Sequence, residues 1–398
     1  MRRGLVLSLL LVAGCPASRA RPAAPATPSP AARPGDDLGH DGIEPAAGGD
    51  TTPGDHRLAD GGPRQVVDLD VIHMDVVGTE GGEPSIEASR PGPLLDQGND
   101  EFGAGRYPAA ITWYRKLVTD FPDSALAPAA LYNVALAQER QDDVDAAVAT
   151  YLELGRTFPT AAESLEGLLR AAALQAEHRR WGDAVATLDQ VLARDDLSRE
   201  VRLEAQARKG YAQLELDHLD EAEATLAQAV ATWRRANRIE DPYYVAMAHF
   251  YLGEIDLRRF QTSPLRSADD QLAADMEAKR LLVMSAYGHW KDALGHHQAY
   301  WATAAGYQMS QIFYEYWKVG VRAPYPDGLD PAGRHDYVVE VHARLRENLT
   351  KALEGHQANV ELAGAYGVTT SWSDGSKIRA TEILGVLDRE ARGELVSP

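Results

Sequence analysis

The sequence predicts an all-α chain: an antiparallel helix-hairpin solenoid over residues 91–240, followed by a C-terminal helical subdomain over 241–392. Three observations carry that expectation. A small residue recurs four times and is answered twelve positions later by an alanine, pairing Gly98 with Ala110, Ala135 with Ala147, Ala172 with Ala184 and Gly210 with Ala222. The first members stand 37, 37 and 38 residues apart, the period of a repeated two-helix unit rather than of one helix. Apolar residues surround each pair at helical spacing, as in Tyr114, Tyr151, Leu188 and Leu226, each four residues after the second small residue. Antiparallel helices approach closely only where their facing side chains are small, so each pair marks a crossing.

Taken in chain order, residues 1–14 read as an export signal. Arg2 and Arg3 give a positive start, Leu5 to Val12 an apolar core too short to span a bilayer, and Val12-Ala13-Gly14-Cys15 a small-residue exit. The segment resembles a bacterial lipoprotein signal, with Val12 where leucine is more usual. That resemblance implies diacylglycerol on Cys15, the one cysteine of the chain. An ordinary signal peptide cut elsewhere is the other reading. Pro16 stands where an acidic residue retains some lipoproteins in the inner membrane, so the resemblance implies the outer membrane, facing the periplasm or the cell surface.

Residues 15–63 are rich in Ala, Pro, Gly and Asp and cannot bury enough apolar surface to order themselves. They read as a tether with a reach of roughly 40 Å. Residues 64–90 contain the β-prone run Val66–Val77 with Gly78, Gly81 and Gly82 behind it. A local strand or hairpin fits this piece, and so does a segment that pairs with another protein's sheet edge.

The four repeats are read as 91–124, 128–161, 165–198 and 203–240, the first two closed by Phe121-Pro122 and Phe158-Pro159. Here the chain resembles the tetratricopeptide repeat family. The matching stretches are Gly98-Asn-Asp-Glu-Phe102 with Gly105-Arg-Tyr107-Pro-Ala-Ala110 and Tyr114, then Leu131-Tyr-Asn-Val-Ala135 with Ala147 and Tyr151, and a weaker echo surrounds Gly253. The resemblance implies a right-handed superhelix that binds extended peptides along the face of its first helices. On that face it places Leu95, Asn99, Phe102, Tyr132, Asn133, Leu136, Arg170, Arg208 and Tyr211. Asn99, Asn133 and Arg170 fall at three of five places that some members use to grip a peptide carboxylate. Leu95 and Glu166 occupy the two lysine places.

Beyond residue 240 the register fades but helices persist, over about 244–260, 268–294, 297–319, 332–365 and 376–392. The third carries Tyr300, Trp301, Tyr307, Phe313, Tyr314, Tyr316 and Trp317, more rings than one buried face requires; they either clamp the next helix or line a binding surface. The fourth has a seam of Tyr337, Val341, Leu345, Leu349 and Leu353. That seam either packs on its own chain or joins a second copy in a homodimer.

A net charge of −19 and a pI near 5.0 exclude a nucleic-acid partner, which requires clustered Lys and Arg. Of the 12 histidines, His289, His296 and His297 cluster, but H-E-x-x-H is absent and His335 and His342 lie seven apart. Phosphate loops and the G-x-S-x-G elbow are absent as well, so no metal or cofactor is implied. The Glu-Ser core of some solenoid-bearing lytic transglycosylases occurs as Glu163-Ser164, inside a repeat. The sequence therefore reads as a non-catalytic scaffold that binds envelope proteins or peptides in assembly, secretion or motility. A cell-wall-acting enzyme or enzyme activator with a solenoid arm is the alternative.

Overall fold

The computed structural model describes residues 73–77, 85–236, 239–266 and 269–397. The expected signal peptide, Cys15 and the 15–63 tether lie outside the described residues. The β-prone region forms an antiparallel hairpin, β1 (His73–Val77) with β2 (Ser85–Ser89), His73 opposite Ser89 and Val77 opposite Ser85. Its strand pairs within the chain, the first of the two uses left open.

Eight helices follow in four pairs: α1 (Pro91–Gly103) and α2 (Tyr107–Asp120), α3 (Ala127–Glu139) and α4 (Val144–Thr157), α5 (Ala162–Glu177) and α6 (Trp181–Leu192), α7 (Arg199–Glu215) and α8 (Leu219–Arg235). Each pair turns on one left-handed residue, Gly105, Asp142, Arg179 or Asp217, with φ of 73°, 61°, 57° and 60°. Two backbone bonds close every turn. Gly105 and Arg106 donate to Phe102 and Glu101, Asp142 and Asp143 to Glu139 and Gln138, Arg179 and Arg180 to Ala176 and Gln175, Asp217 and His218 to Leu214 and Gln213. These are Schellman ends, which satisfy the last carbonyls of each first helix and reverse the chain. Pro91, Pro108 and Pro128 start helices where a missing N–H costs nothing, and Asp143 and Ser198 cap α4 and α7.

The chain falls into two compact units, divided between His218 and Leu219. In the first, glycines on the first helices admit bulky rings from the second. A Cβ on Gly98 would stand 2.3 Å from the Tyr114 ring, and one on Gly167 3.0 Å from the Tyr151 ring, so each ring takes space that a side chain would fill there, and both tyrosines are fully buried. Leu131, Tyr132, Ala135, Ala147, Tyr151 and Leu154 form the core of the second repeat, and Leu94, Ala110, Tyr114 and Leu117 that of the first.

The division falls inside the fourth expected repeat, 203–240. The second unit begins with α8, where Arg259 on the next helix reaches back to Asp220 and Glu223 at 2.7 and 2.8 Å. It continues through α9 (Tyr243–Thr262), α10 (Asp269–Gly295), α11 (Ala299–Val321), α12 (Pro331–Tyr366) and α13 (Ser371–Ala391), each packed on its predecessor. Trp290 of α10 is buried over Gly253 of α9, and its indole N–H donates to the Phe250 carbonyl at 3.2 Å. The end of α9 is capped by Lys279, whose buried ammonium donates to Phe260 O, Ser263 O and Ser263 Oγ.

The seam of α12 is occupied by α11. Leu345 sits on Gly320, Asn359 on Gly306 and Ser310 on Gly355, with Val341, Leu345 and Leu349 buried. Its central residues serve the intramolecular alternative, and Tyr337 and Leu353 at its two ends stay half-exposed. Trp301, Tyr316 and Trp317 of the aromatic stripe are core, Trp301 lying within 5.6 Å of the rings of Tyr243, Phe250, Tyr251 and Tyr300. Trp317 stacks on Tyr314 at 5.7 Å. The rings clamp neighbouring helices. Among the described residues no helix is long and apolar enough to cross a membrane.

Candidate protein-binding face

The first helices α1, α3, α5 and α7 place the residues expected to bind peptide, and burial separates them into two groups. Tyr132, Asn133, Leu136 and Tyr211 are buried. The Tyr132 ring packs on Tyr151 at 5.4 Å and the Tyr211 ring edges onto Trp181 at the same distance. Tyr132, Asn133 and Leu136 lie on α3, which is enclosed by its neighbours on nearly every side, and Tyr211 lies on α7 against Trp181, so these four are buried where their repeat position suggests an open face. Leu95, Asn99, Phe102, Arg170 and Arg208 remain half-exposed.

The two asparagines do meet, through a third residue. The Tyr114 hydroxyl donates to Asn99 Oδ1 at 2.8 Å and accepts from the Asn133 amide; burial raises its pKa, so it stays protonated. Both amides thus spend hydrogen-bonding capacity inside the array. Leu95 and Phe102 pack half-exposed on the first core, Phe102 edging Tyr107 at 5.3 Å.

Arg170 and Arg208 are held by carboxylates. Arg170 grips Glu139 of the neighbouring first helix, with Nε at 2.9 Å and Nη2 at 2.6 Å from Oε2. Glu139 also accepts the Tyr151 hydroxyl at 2.6 Å. Burial, then the adjacent carboxylate, pushes the Tyr151 phenol well above its ordinary pKa, which keeps this donor protonated. Arg208 Nε donates to Glu204 at 3.0 Å. The fork expected to grip a peptide carboxylate is therefore already occupied.

A signal passed over in the sequence explains this face. Glu166, Arg170 and Glu177 on α5 recur at the equivalent places on α7 as Glu204, Arg208 and Glu215, giving both helices a Glu-Arg-Glu stripe. A second recurrent pair is internal: Thr150 donates to Gln138 at 2.7 Å and Thr187 to Gln175 at 2.9 Å, tying the helices of repeats two and three together.

The remaining chemical candidates sit in packing roles. Ser164 is fully buried, its hydroxyl donating to the carbonyls of Leu154 and Phe158, so Glu163-Ser164 belongs to the entry of α5. His249 stacks on His296 at 5.4 Å, with His289 at 6.5 Å, and burial lowers the His249 pKa to about 4. His342 bonds Glu390 at 2.6 Å and the Val396 carbonyl at 2.8 Å. Among the described residues no three His, Cys, Asp or Glu side chains are grouped to hold a metal ion.

Residues 95–162, from α1 into the start of α5, match the family model described as tetratricopeptide repeat. No curated protein sequence matches the chain. Among solved structures, the chain is similar to a tetratricopeptide repeat protein from Parabacteroides merdae at 12% identity, covering 74% of this chain and 98% of that one, with a TM-score of 0.34. It is also similar to a structure of MamA at 14% identity, 62% and 99% coverage and a TM-score of 0.37. MamA from Desulfovibrio magneticus is 14% identical, with 49% and 93% coverage and a TM-score of 0.31.

Proposed function

We propose that this tetratricopeptide-bearing chain is a non-catalytic adaptor, lipid-anchored through Cys15 in a bacterial cell envelope, that holds partner polypeptides along the first helices of its array. Tetratricopeptide arrays are protein-interaction scaffolds, and residues 95–162 carry that repeat. The observation that carries the reading further is the stripe of half-exposed Leu95, Phe102 and Ala173 with exposed Glu177, beside the paired Arg170 and Arg208. The anchor rests on Arg2, Arg3, the Leu5–Val12 run and Cys15, and the outer-membrane location on Pro16.

Photo-crosslinking amino acids placed in cells at Ala173 and Glu177 are expected to capture the same polypeptides, while equivalents at Asp123 and Asp195, in loops between repeats, are not. Equal capture from both pairs removes the first-helix face from consideration. Incorporation of an alkyne-tagged palmitate that disappears in Cys15→Ser tests the anchor independently.

A further inference from the structure

Of the chemistry on the first-helix face, the charge balance says most about what the face accepts. Glu139, Glu166, Glu177, Glu204 and Glu215 share it with Arg140, Arg170 and Arg208, so carboxylates outnumber guanidinium groups. The cations are also the committed partners. Arg170 has both nitrogens of its fork on Glu139, and Arg208 is held by Glu204. Both pairs are largely withdrawn from solvent, with exposures of 18% and 9% for Arg170 and Glu139, 20% and 17% for Arg208 and Glu204.

Glu177 is different. It is exposed, makes no ion pair, and stands within the field of Arg170, Glu139 and Arg208. Between the charged rows lie apolar surfaces: Leu169, Ala173 and Ala176 are half-exposed on α5, as are Leu95 and Phe102 on α1.

We infer that the first-helix face takes an extended polypeptide segment with Lys or Arg alternating with apolar side chains, a cation meeting Glu177 and the apolar groups meeting Leu169, Ala173 and Ala176. The inference rests on the adaptor reading and names the class of partner. A segment ending in a free carboxylate, or one rich in Asp and Glu, must instead break the Arg170–Glu139 pair and strand a carboxylate that is nine-tenths buried. A cationic segment disturbs neither pair. Charge complementarity of this kind sets specificity and encounter rate.

The test uses the full chain and three fluorescent decapeptides that share leucine at alternate positions and carry Lys, Glu or Ser between them. Anisotropy titrations are run on the wild type, on Glu177→Lys, and on the charge-matched control Asp195→Lys; both residues are exposed, and circular dichroism checks each fold. The Lys peptide is expected to bind best and to lose about tenfold in affinity in the face variant, against less than about twofold in the control. Preferred binding of the Glu or Ser peptide, lost in the face variant, overturns the partner class and leaves the groove standing. Equal losses in face and control variants overturn the class and the groove together. A Glu177→Gln variant, the milder change, is expected to shift only the Lys peptide; no shift counts against the inference even if the Lys variant unfolds.

Discussion

Acidification should loosen the second unit before the first, and two buried histidines set the size of the effect. His356 is fully buried on α12, its Nδ1 3.3 Å from Ser376 Oγ and its ring 5.1 Å from Tyr307, with the Arg379 guanidinium nearby on α13. Burial, helped by Arg379, lowers its pKa from 6.5 to about 4. His249 on α9 is lowered to about 4 too: burial, His296, His289 and Arg234 outweigh the attraction of Asp292. Above pH 6.5 each ring is neutral whether the chain is folded or not, and stability does not respond. As pH falls from 6.5 towards 4, only the unfolded chain takes up the proton, so folding loses stability. The full loss is about 3 kcal/mol per ring, of which about 2 kcal/mol has gone by pH 5. Urea titrations at pH 7.5 and pH 5, read by hydrogen exchange of peptides from α9 to α13, measure it. Titrating carboxylates add their own slope, so the decisive quantity is the difference between wild type and His249→Gln or His356→Gln. Each variant should lose about 2 kcal/mol less than wild type over this interval. Parallel losses in wild type and both variants would refute the reasoning.

Three further outcomes follow from single contacts. Gly98→Ala puts a methyl 2.3 Å from the Tyr114 ring and should cost about 1–3 kcal/mol in urea unfolding of the first unit. Lys279→Met removes the donor to three oxygens at the end of α9 and should cost about 1–3 kcal/mol, with faster hydrogen exchange confined to the last turn of α9 and the loop after it. A double-mutant cycle of Arg170→Met and Glu139→Gln should return a coupling of about 1–3 kcal/mol, because each single change strands the other partner; a coupling near zero would mean that the pair is idle in the folded array.

The architecture was legible where it depends on which residues are small. Spacing alone places a close approach at Gly98, although the side chain seated on it is Tyr114, four residues after the expected Ala110, and the later helices were found to within a few residues: 244–260 against Tyr243–Thr262, for example. The largest misplacement, a start at 376 instead of Ser371, has a local cause. The cap is Thr370 with Ser373 in reciprocal hydrogen bonds, a box that lacks the usual Glu or Gln three residues on. The turn residues were half legible. Gly105 announces a left-handed conformation, whereas Arg179 adopts the same φ only because two backbone bonds at Arg179 and Arg180 impose it.

The binding face was less legible, and three equivalent positions show why. Asn133, Arg170 and Arg208 occupy the same place on α3, α5 and α7, and the repeat register assigns all three to one face. Their availability is decided by neighbours that register does not describe. Asn133 is buried against the Tyr114 hydroxyl, Arg170 is claimed by a glutamate from the helix before it, and Arg208 by a glutamate one turn earlier on its own helix. A side chain already engaged this way reaches a ligand only by breaking its internal pair, so it contributes to rigidity rather than to recognition. The residues left to discriminate are those with solvent on one side and no internal partner, and on α5 that is Glu177, one turn past the apolar Ala173 and seven residues from Arg170. Selectivity on this face is therefore written less by the positions that the family resemblance highlights than by Glu177, the exposed carboxylate that their internal pairing leaves to a ligand.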